Sequence, residues 1–475
     1  MSFKWKQFSG QWTVTQAAQA KGAGTWPILP GAPTIGTATE GDAQASVAFT
    51  APANPGYPTT LSYTATSSPG GVTATGSASP VVVTGLSNGT SYTFTVTATN
   101  DTGTGPASAA SNSAIPVAPT ELYAWGRNPQ GQLGLGDVVY RSSPTQVGAL
   151  TTWLSIDSFY HTIALQTNGT LWTWGWGSNG RLGHNNDQSQ SSPVQVGSGA
   201  WDDVAAAYNY SLAISSAGNL YAWGSNSKGQ IGNNSTITAS SPVQVGASTN
   251  WAQVSGGYNV SFGILSTGAL FSWGGNEKGM LGQGYTGGAE ISSPTQVGAL
   301  TTWLQVDAGG EYNCAAVKTD GTLWTWGTDG YGVLGTSGGP NPTNSPAQVG
   351  ALTNWAQVSE GYQTCMAVKT DGTLWGWGRN SAGQIGDNSR TDRNSPVQIG
   401  SLTTWAAVGS GNGASIAVKT DGTLWTIGNN SNGVSGQNEP TTVFRSSPVQ
   451  VGALTTWTKV NISRWSSGIA FAIKN

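Results

Sequence analysis

Apolar and polar residues alternate in short bursts along most of this chain, and one burst keeps returning. In Thr319-Asp320-Gly321-Thr322-Leu323-Trp324-Thr325-Trp326-Gly327 a turn feeds a strand. Strand side chains alternate faces, so Trp324 and Trp326 share one face while Leu323 and Thr325 share the other. The turn glycine recurs at Gly169, Gly218, Gly268, Gly321, Gly372 and Gly422, at intervals of 49, 50, 53, 51 and 50 residues. Asp-Gly or Asn-Gly between alternating apolar residues predicts a hairpin, expected as a type I′ turn. A seventh copy of the strand, Leu122-Tyr123-Ala124-Trp125-Gly126, lacks the turn before it. One hairpin cannot cover a paired aromatic face, whereas an identical neighbour can. Repeats of about 50 residues of this kind predict a propeller or solenoid.

The rest of the repeat unit follows the same rule of fixed columns. A glycine turn such as Ser381-Ala382-Gly383-Gln384-Ile385-Gly386 follows each Trp-Gly strand, then a variable loop, then Ser-Pro and a short strand, as in Ser192-Pro193-Val194-Gln195-Val196-Gly197. Another tryptophan comes next: Trp153, Trp201, Trp251, Trp303, Trp355, Trp405 or Trp457. Of the 19 tryptophans beyond residue 119, 17 fall in three columns, which marks them as scaffold. The closing strand Ile469–Asn475 aligns with the first side of the hairpin, and residues 122–126 with its second side. Pairing the two closes a ring and removes exposed edges. Seven repeats of four short strands predict a seven-bladed β-propeller over residues 120–475.

With Gly-Gln-Leu/Ile-Gly, Ser-Pro-x-Gln-Val-Gly and Ala-Val-Lys-x-Asp-Gly-x-Leu-Trp-x-Trp-Gly among its units, the array resembles the regulator of chromosome condensation repeat family. Residues 31–118 differ: they contain no Lys or Arg, and strand patterns appear at 45–50, 61–66, 81–83 and 92–98. Leu86-Ser87-Asn88-Gly89-Thr90-Ser91-Tyr92-Thr93-Phe94-Thr95-Val96 resembles a fibronectin type III domain around its tyrosine corner. That family's core tryptophan is absent, and Phe49 is expected in its place. The expected fold is therefore all-β, a sandwich at 31–118 and a propeller at 120–475, preceded by a short segment at 1–30.

Composition changes the picture mainly by exclusion. The chain has 475 residues, 8% of them charged, with a net charge of −3 and 69 glycines. The array carries 15 basic and 18 acidic residues, so no footprint for nucleic-acid phosphates is expected. No apolar run reaches the ~18 residues of a membrane span, and the start carries no signal-peptide core. Cys314 and Cys365 sit in a column otherwise filled by Thr162, Ser211, Ser261 and Ser415, and read as small core residues. With two histidines, neither a metal site nor a Ser/His/Asp set is expected. His161 and the turn acids Asp320, Asp371 and Asp421 read as structural. No cofactor and no enzymatic activity are expected.

Two elements remain as candidates for recognition. Residues 1–30 hold Lys4, Lys6 and Lys21 with no acid, together with Phe3, Trp5, Phe8, Trp12 and Trp26. This mix suits a docking peptide anchored by aromatics. The loops between Gly-Gln-Leu-Gly and Ser-Pro vary most and hold Tyr140, Arg141, Tyr285, Phe444 and Arg445, residue types enriched at interface anchors. The combination predicts a virion surface or tail component, present in multiple copies on an extracellular particle. Its N-terminus would dock to other virion proteins, and the disc would meet a host glycan or protein. The alternatives are a bacterial surface or secreted adhesin, and an intracellular propeller regulating a small GTPase, which the family resemblance implies.

Overall fold

In the computed structural model the described residues are 14–22, 27–287, 290–310, 312–439, 441–465 and 468–475. The chain divides into two compact units, meeting in sequence at Pro119 and Thr120. Within the first, Val14–Gly22 is a short α-helix, built on the good helix formers of Gln-Ala-Ala-Gln-Ala-Lys.

The first unit is a sandwich of two antiparallel sheets. One orders Thr34–Gly41, Gln44–Thr50 and Val81–Thr84; the other orders Thr73–Gly76, Ser62–Ser68, Thr93–Asn100 and Gly103–Thr104. Alternate residues of each strand turn inward, so that Val47, Phe49, Tyr63, Ala65, Val83, Phe94 and Val96 form the core. Phe49 stands in it, its ring 4.6 Å from that of Tyr63. The hydroxyl of Tyr92 accepts from the backbone N–H of Ser87 at 3.1 Å, which is the corner the sequence predicts.

The second unit is a ring of seven four-stranded antiparallel sheets. Blade 1 runs outward through Trp153–Ser158, His161–Gln166, Leu171–Gly175 and Gln190–Gln195. Blades 2 to 6 repeat the order from Trp201, Trp251, Trp303, Trp355 and Trp405. Blade 7 is composite, joining Trp457–Ile462 and Ile469–Lys474 to Glu121–Gly126 and Arg141–Gln146. Ile469 pairs with Gly126 and Ile473 with Leu122, so the ring closes through the split hairpin.

The hairpin turn departs from the expected type I′. Glycine alone is left-handed there (Gly321 φ 75°) while Asp320 is not, and Gly321 N–H donates to the Lys318 carbonyl at 2.9 Å. This is a three-residue connection closed by a left-handed glycine. The cause is the aspartate itself. Its carboxylate accepts from the Thr322 N–H at 3.0 Å and the Thr322 hydroxyl at 2.6 Å, holding the turn from outside.

Blades adhere through the tryptophan columns. Trp303 meets Trp324 and Trp326 edge-on at 6.1 and 6.3 Å, and Trp326 meets Phe262 of the preceding blade at 5.6 Å. Each outer indole also donates to a carbonyl in the Gly-Gln-Leu-Gly turn of the blade before. Trp174 reaches Gln132 at 2.8 Å and Trp223 reaches Arg181 at 2.9 Å. Thr162 and Ser211 donate to the same two carbonyls, which explains their column of small donors. Cys314 stands there too, its Sγ 3.6 Å from the Met280 carbonyl, and both cysteines are buried without a disulfide.

Candidate partner-binding face

The innermost strands enclose a polar channel of about 360 Å³, with Asp157, Asp203, Asp307, Gln253, Gln305 and Gln357 among its lining. Side chains stitch these strands together. The amide of Gln305 accepts from Val358 N–H at 3.1 Å and donates to the Val358 carbonyl at 2.9 Å. Gln253 treats Val306 the same way, and Gln357 treats Val408. At these three junctions the inner edge that a strand would leave unpaired is thus satisfied.

At one end the channel is lined by Arg464. Its guanidinium donates to Asp307 at 2.8 Å and lies 3.2 Å from Asp157. Burial works against this charge, yet the carboxylates of Asp157 and Asp307 outweigh it and hold the guanidinium above its usual range. Asp307 is raised from the ordinary carboxylate value, by burial first, against the pull of Arg464. Burial, then Asp307, pushes the nearby Glu360 well above its usual value, and Glu360 accepts from Asn313 at 2.6 Å.

Beside Arg464, the connections between first and second strands bring one residue per blade to the mouth: Tyr160, Tyr208, Tyr258, Tyr312, Tyr362, Asn412 and Trp465, all partly exposed. Trp465 stands among the tyrosines, with centroids 4.7 Å from Tyr362, 5.4 Å from Tyr258 and 5.5 Å from Tyr208. Its side chain also hydrogen-bonds Tyr160. Tyr208 meets Tyr258 at 4.4 Å, and Tyr160 meets Trp176 at 5.4 Å. Asn412 donates to the Trp465 carbonyl at 2.8 Å. Burial raises the phenols of Tyr160 and Tyr208 above their ordinary value, so they remain hydrogen-bonding hydroxyls. Arg181 lies 4.5 Å from the Trp176 ring and donates to the Ser178 and Tyr208 carbonyls; burial brings it down to about 10. The result is a packed aromatic surface rimmed by hydroxyls, with Arg464 beneath it. Such a surface offers large contact area at small entropic cost.

The variable loops emerge at the same ends of the blades as this mouth, since each follows a third strand. They place Tyr140, Tyr285 and Phe444 in solvent. Their arginines are engaged at home: Arg141 pairs with Asp137 at 2.5 Å and Arg445 with Glu439 at 2.7 Å. Tyr140 and Arg141 line a hollow of about 390 Å³ with Ser431, Asn432, Gly433 and Thr441 of the neighbouring loop. Phe444 lies under Arg390, 5.0 Å from ring centroid to guanidinium, and Tyr285 stands apart on the loop of blade 3. The five therefore form scattered points on a rim, and no single cluster. Phe3, Trp5, Phe8, Trp12 and Trp26 lie outside the described residues. His161 is buried, its Nε2 2.7 Å from the Ser211 hydroxyl, and burial pushes its pKa well down. Among the described residues no group of His, Cys, Asp and Glu is arranged to hold a metal ion, and no helix is long and apolar enough to cross a membrane.

The tyrosine ring is the feature that sequence reading missed. Its signal was present: the tyrosines recur at 48, 50, 54 and 50 residues. Trp176 and Trp465, the two array tryptophans outside the three columns, both belong to it.

Residues 121–473 match the family model described as RCC1-like domain, and residues 31–114 match the Fibronectin type III domain. Among curated proteins, the chain is 37% identical over 94 residues to the probable E3 ubiquitin-protein ligase HERC3 of Homo sapiens. That stretch is 19% of this chain and 9% of the ligase. It is 35% identical over 92 residues to the ultraviolet-B receptor UVR8 of Arabidopsis thaliana, 19% of this chain and 21% of the receptor. Among solved structures, Prp20p of Saccharomyces cerevisiae, described with its binding properties to Gsp1p and histones, superposes with a TM-score of 0.67 at 20% identity. The likeness covers 75% of this chain and 92% of that one. Human WBSCR16 gives a TM-score of 0.67 at 19% identity, over 75% of this chain and 99% of that one.

Proposed function

The chain belongs to the RCC1-like domain family, and from that premise we propose that it is a non-catalytic binding propeller whose channel-mouth face docks a protein partner and so regulates it. One observation carries the reading. Five tyrosines and Trp465 converge, partly exposed, at the mouth of the channel that Arg464 lines. Partly exposed aromatics are the residue types that anchor protein interfaces.

The virion role expected from composition finds no support among the relatives, which bear the names of ligases and a receptor. The regulatory alternative, with a small GTPase among the candidate partners, is the better supported expectation. Ligase activity is not transferred, because the match spans 9% of HERC3. The N-terminal segment, with Phe3, Trp5, Phe8, Trp12 and Trp26, is proposed as a second contact to a larger assembly.

The test is a triple variant, Tyr208→Ser, Tyr258→Ser and Tyr362→Ser, compared with the native chain in quantitative capture of interacting proteins from the source cell. A melting curve confirms the fold. Partners retained by the native chain should be lost by the variant, and equal retention by both would sink the reading. Purified small GTPases, assayed for release of labelled GDP in the presence of the chain, decide the narrower version.

A further inference from the structure

The seven blades are imperfect copies, and in three of them the second strand ends without the lysine that the others carry. In blades 4, 5 and 6 the second strand ends in Lys318, Lys369 and Lys419. Each ammonium lies in the angle between two tryptophans. Lys318 Nζ is 4.7 Å from the Trp303 centroid and 3.5 Å from that of Trp324. The corresponding distances are 4.7 and 3.7 Å for Lys369, and 4.9 and 3.8 Å for Lys419. A cation over an indole face is held by the ring's quadrupole. The propeller satisfies that attraction internally with these three lysines, and in blade 7 Lys474 lies 5.1 Å from the Tyr123 ring.

Blade 2 keeps the aromatic angle without the cation. Trp201 and Tyr221 stand 5.2 Å apart at 79°, as Trp303 and Trp324 stand 6.1 Å apart at 75°. The second strand, however, ends in Ser215. The loop entering the blade is altered as well. Gly197-Ser198-Gly199-Ala200 precedes Trp201, one residue shorter than Gly298-Ala299-Leu300-Thr301-Thr302 before Trp303 and without its leucine. The consequence is space. A cavity of about 610 Å³ opens beside Trp201, Tyr221, Ser215, Ser216 and Asn219, whereas the counterpart at blade 5, which Leu352 helps line, measures about 250 Å³. Trp201 is accordingly the most exposed of the seven inner tryptophans, at 8% against 1% to 6%. Blade 3 places Leu265 at the position of the lysine and blade 1 places Gln166, so the emptied cage is peculiar to blade 2.

We propose that this blade 2 cavity is a binding site for an alkylammonium group. The two ring faces take the place they take around Lys318, and the ligand supplies the charge that Ser215 does not. The acid that accompanies each lysine at the turn, such as Asp320, is Ala217 here. With no carboxylate at that position, the site favours a methylated, weakly hydrated ammonium over a primary one. A cavity more than twice the size of its blade 5 counterpart has room for a trimethylammonium head. The site lies at the turn ends of the strands, away from the channel mouth, and stands independently of the partner proposed there.

The experiment titrates the full chain with choline and with its neutral isostere 3,3-dimethylbutan-1-ol, by calorimetry and by the shift of indole N–H resonances. Choline should bind, and the isostere about tenfold more weakly, the margin a desolvated cation–π contact supplies. Ser215→Lys should place the protein's own ammonium in the cage and lower choline affinity about tenfold or more, with no fall in melting temperature. Tyr221→Leu should weaken choline binding with the fold retained. A trimethyllysine peptide that binds more tightly than choline identifies a protein side chain as the source; the reverse order identifies a small molecule. Equal affinity for choline and the isostere, no choline binding, or undiminished binding by Ser215→Lys overturns the proposal.

Discussion

Arg464 of blade 7 donates to Asp307 of blade 4 at 2.8 Å across the channel. Its second terminal nitrogen lies 3.2 Å from Asp157 of blade 1, so one guanidinium ties three blades together. Asp157 accepts in turn from Asn461 at 2.8 Å and from the Ala206 N–H at 3.0 Å. Asp307 accepts from the Glu360 N–H at 2.9 Å. Buried charges of this kind persist only when every remaining lone pair has a donor, and here the inner strands provide the donors.

Removing the cation alone leaves two buried carboxylates uncompensated. Arg464→Met is expected to lower the free energy of unfolding by ~3–5 kcal/mol. Combining it with Asp157→Asn and Asp307→Asn should recover much of the loss. Urea denaturation midpoints check both; an unchanged midpoint in the single variant means that the triad is energetically idle.

A second consequence concerns pH. Burial raises Asp203 to about 7, whereas the unfolded chain titrates near the ordinary carboxylate value. Between those values the folded state binds the extra proton, so stability contributed by this group falls as pH rises through the window and is fully present below it. Asp203→Asn keeps an acceptor for the Val254 N–H, now 2.9 Å from the carboxylate. The variant should melt higher than the native chain at pH 8 and equally at pH 4. A constant difference across that range would falsify the assignment.

Ring closure gives a third. Ile469–Lys474 lies between Trp457–Ile462 and Glu121–Gly126, and Ile469, Ala470, Phe471, Ala472 and Ile473 are buried. Deleting residues 469–475 strips blade 7 of its second strand and exposes two edges. Cooperative loss of the folded disc or aggregation is expected, since each blade relies on its neighbours. Melting at the native temperature rules out this closure.

Legibility in the sequence followed how locally each feature is enforced. The Trp324 and Trp326 columns, the Tyr92 corner and the pairing of Ile469 with Gly126 are visible because periodic burial and strand register impose residue types at fixed spacing. The turn at Asp320 was legible as a turn and misread in type, since the choice rests on side-chain bonds to Thr322. Sequence variability points for recognition to the loops that hold Tyr140, Tyr285 and Phe444. The aromatic cluster instead sits on Tyr208, Tyr258 and Trp465, which are nearly as periodic as the scaffold. Period alone does not distinguish a side chain packed between blades from one left at the mouth. Arg464 was illegible for another reason: its partners are 157 and 307 residues away in sequence.

The last prediction concerns salt. Tyr160, Tyr208, Tyr258, Tyr312, Tyr362, Asn412 and Trp465 carry no net charge at neutral pH. Arg141 and Arg445 on the rim are already paired within their loops, and the guanidinium of Arg181 is bound to two carbonyls. A partner docking there meets rings and hydroxyls more than fields, so its affinity should change less than about threefold between 50 and 500 mM NaCl, a range over which exposed ion pairs are screened out. A phosphate-backbone ligand behaves oppositely, losing on the order of 10³-fold or more over a narrower range. Measuring dissociation constants for the captured partner at both salt concentrations separates the two. A steep salt dependence, abolished by neutralising Arg141 and Arg445, moves the interface from the aromatic mouth to the charged rim.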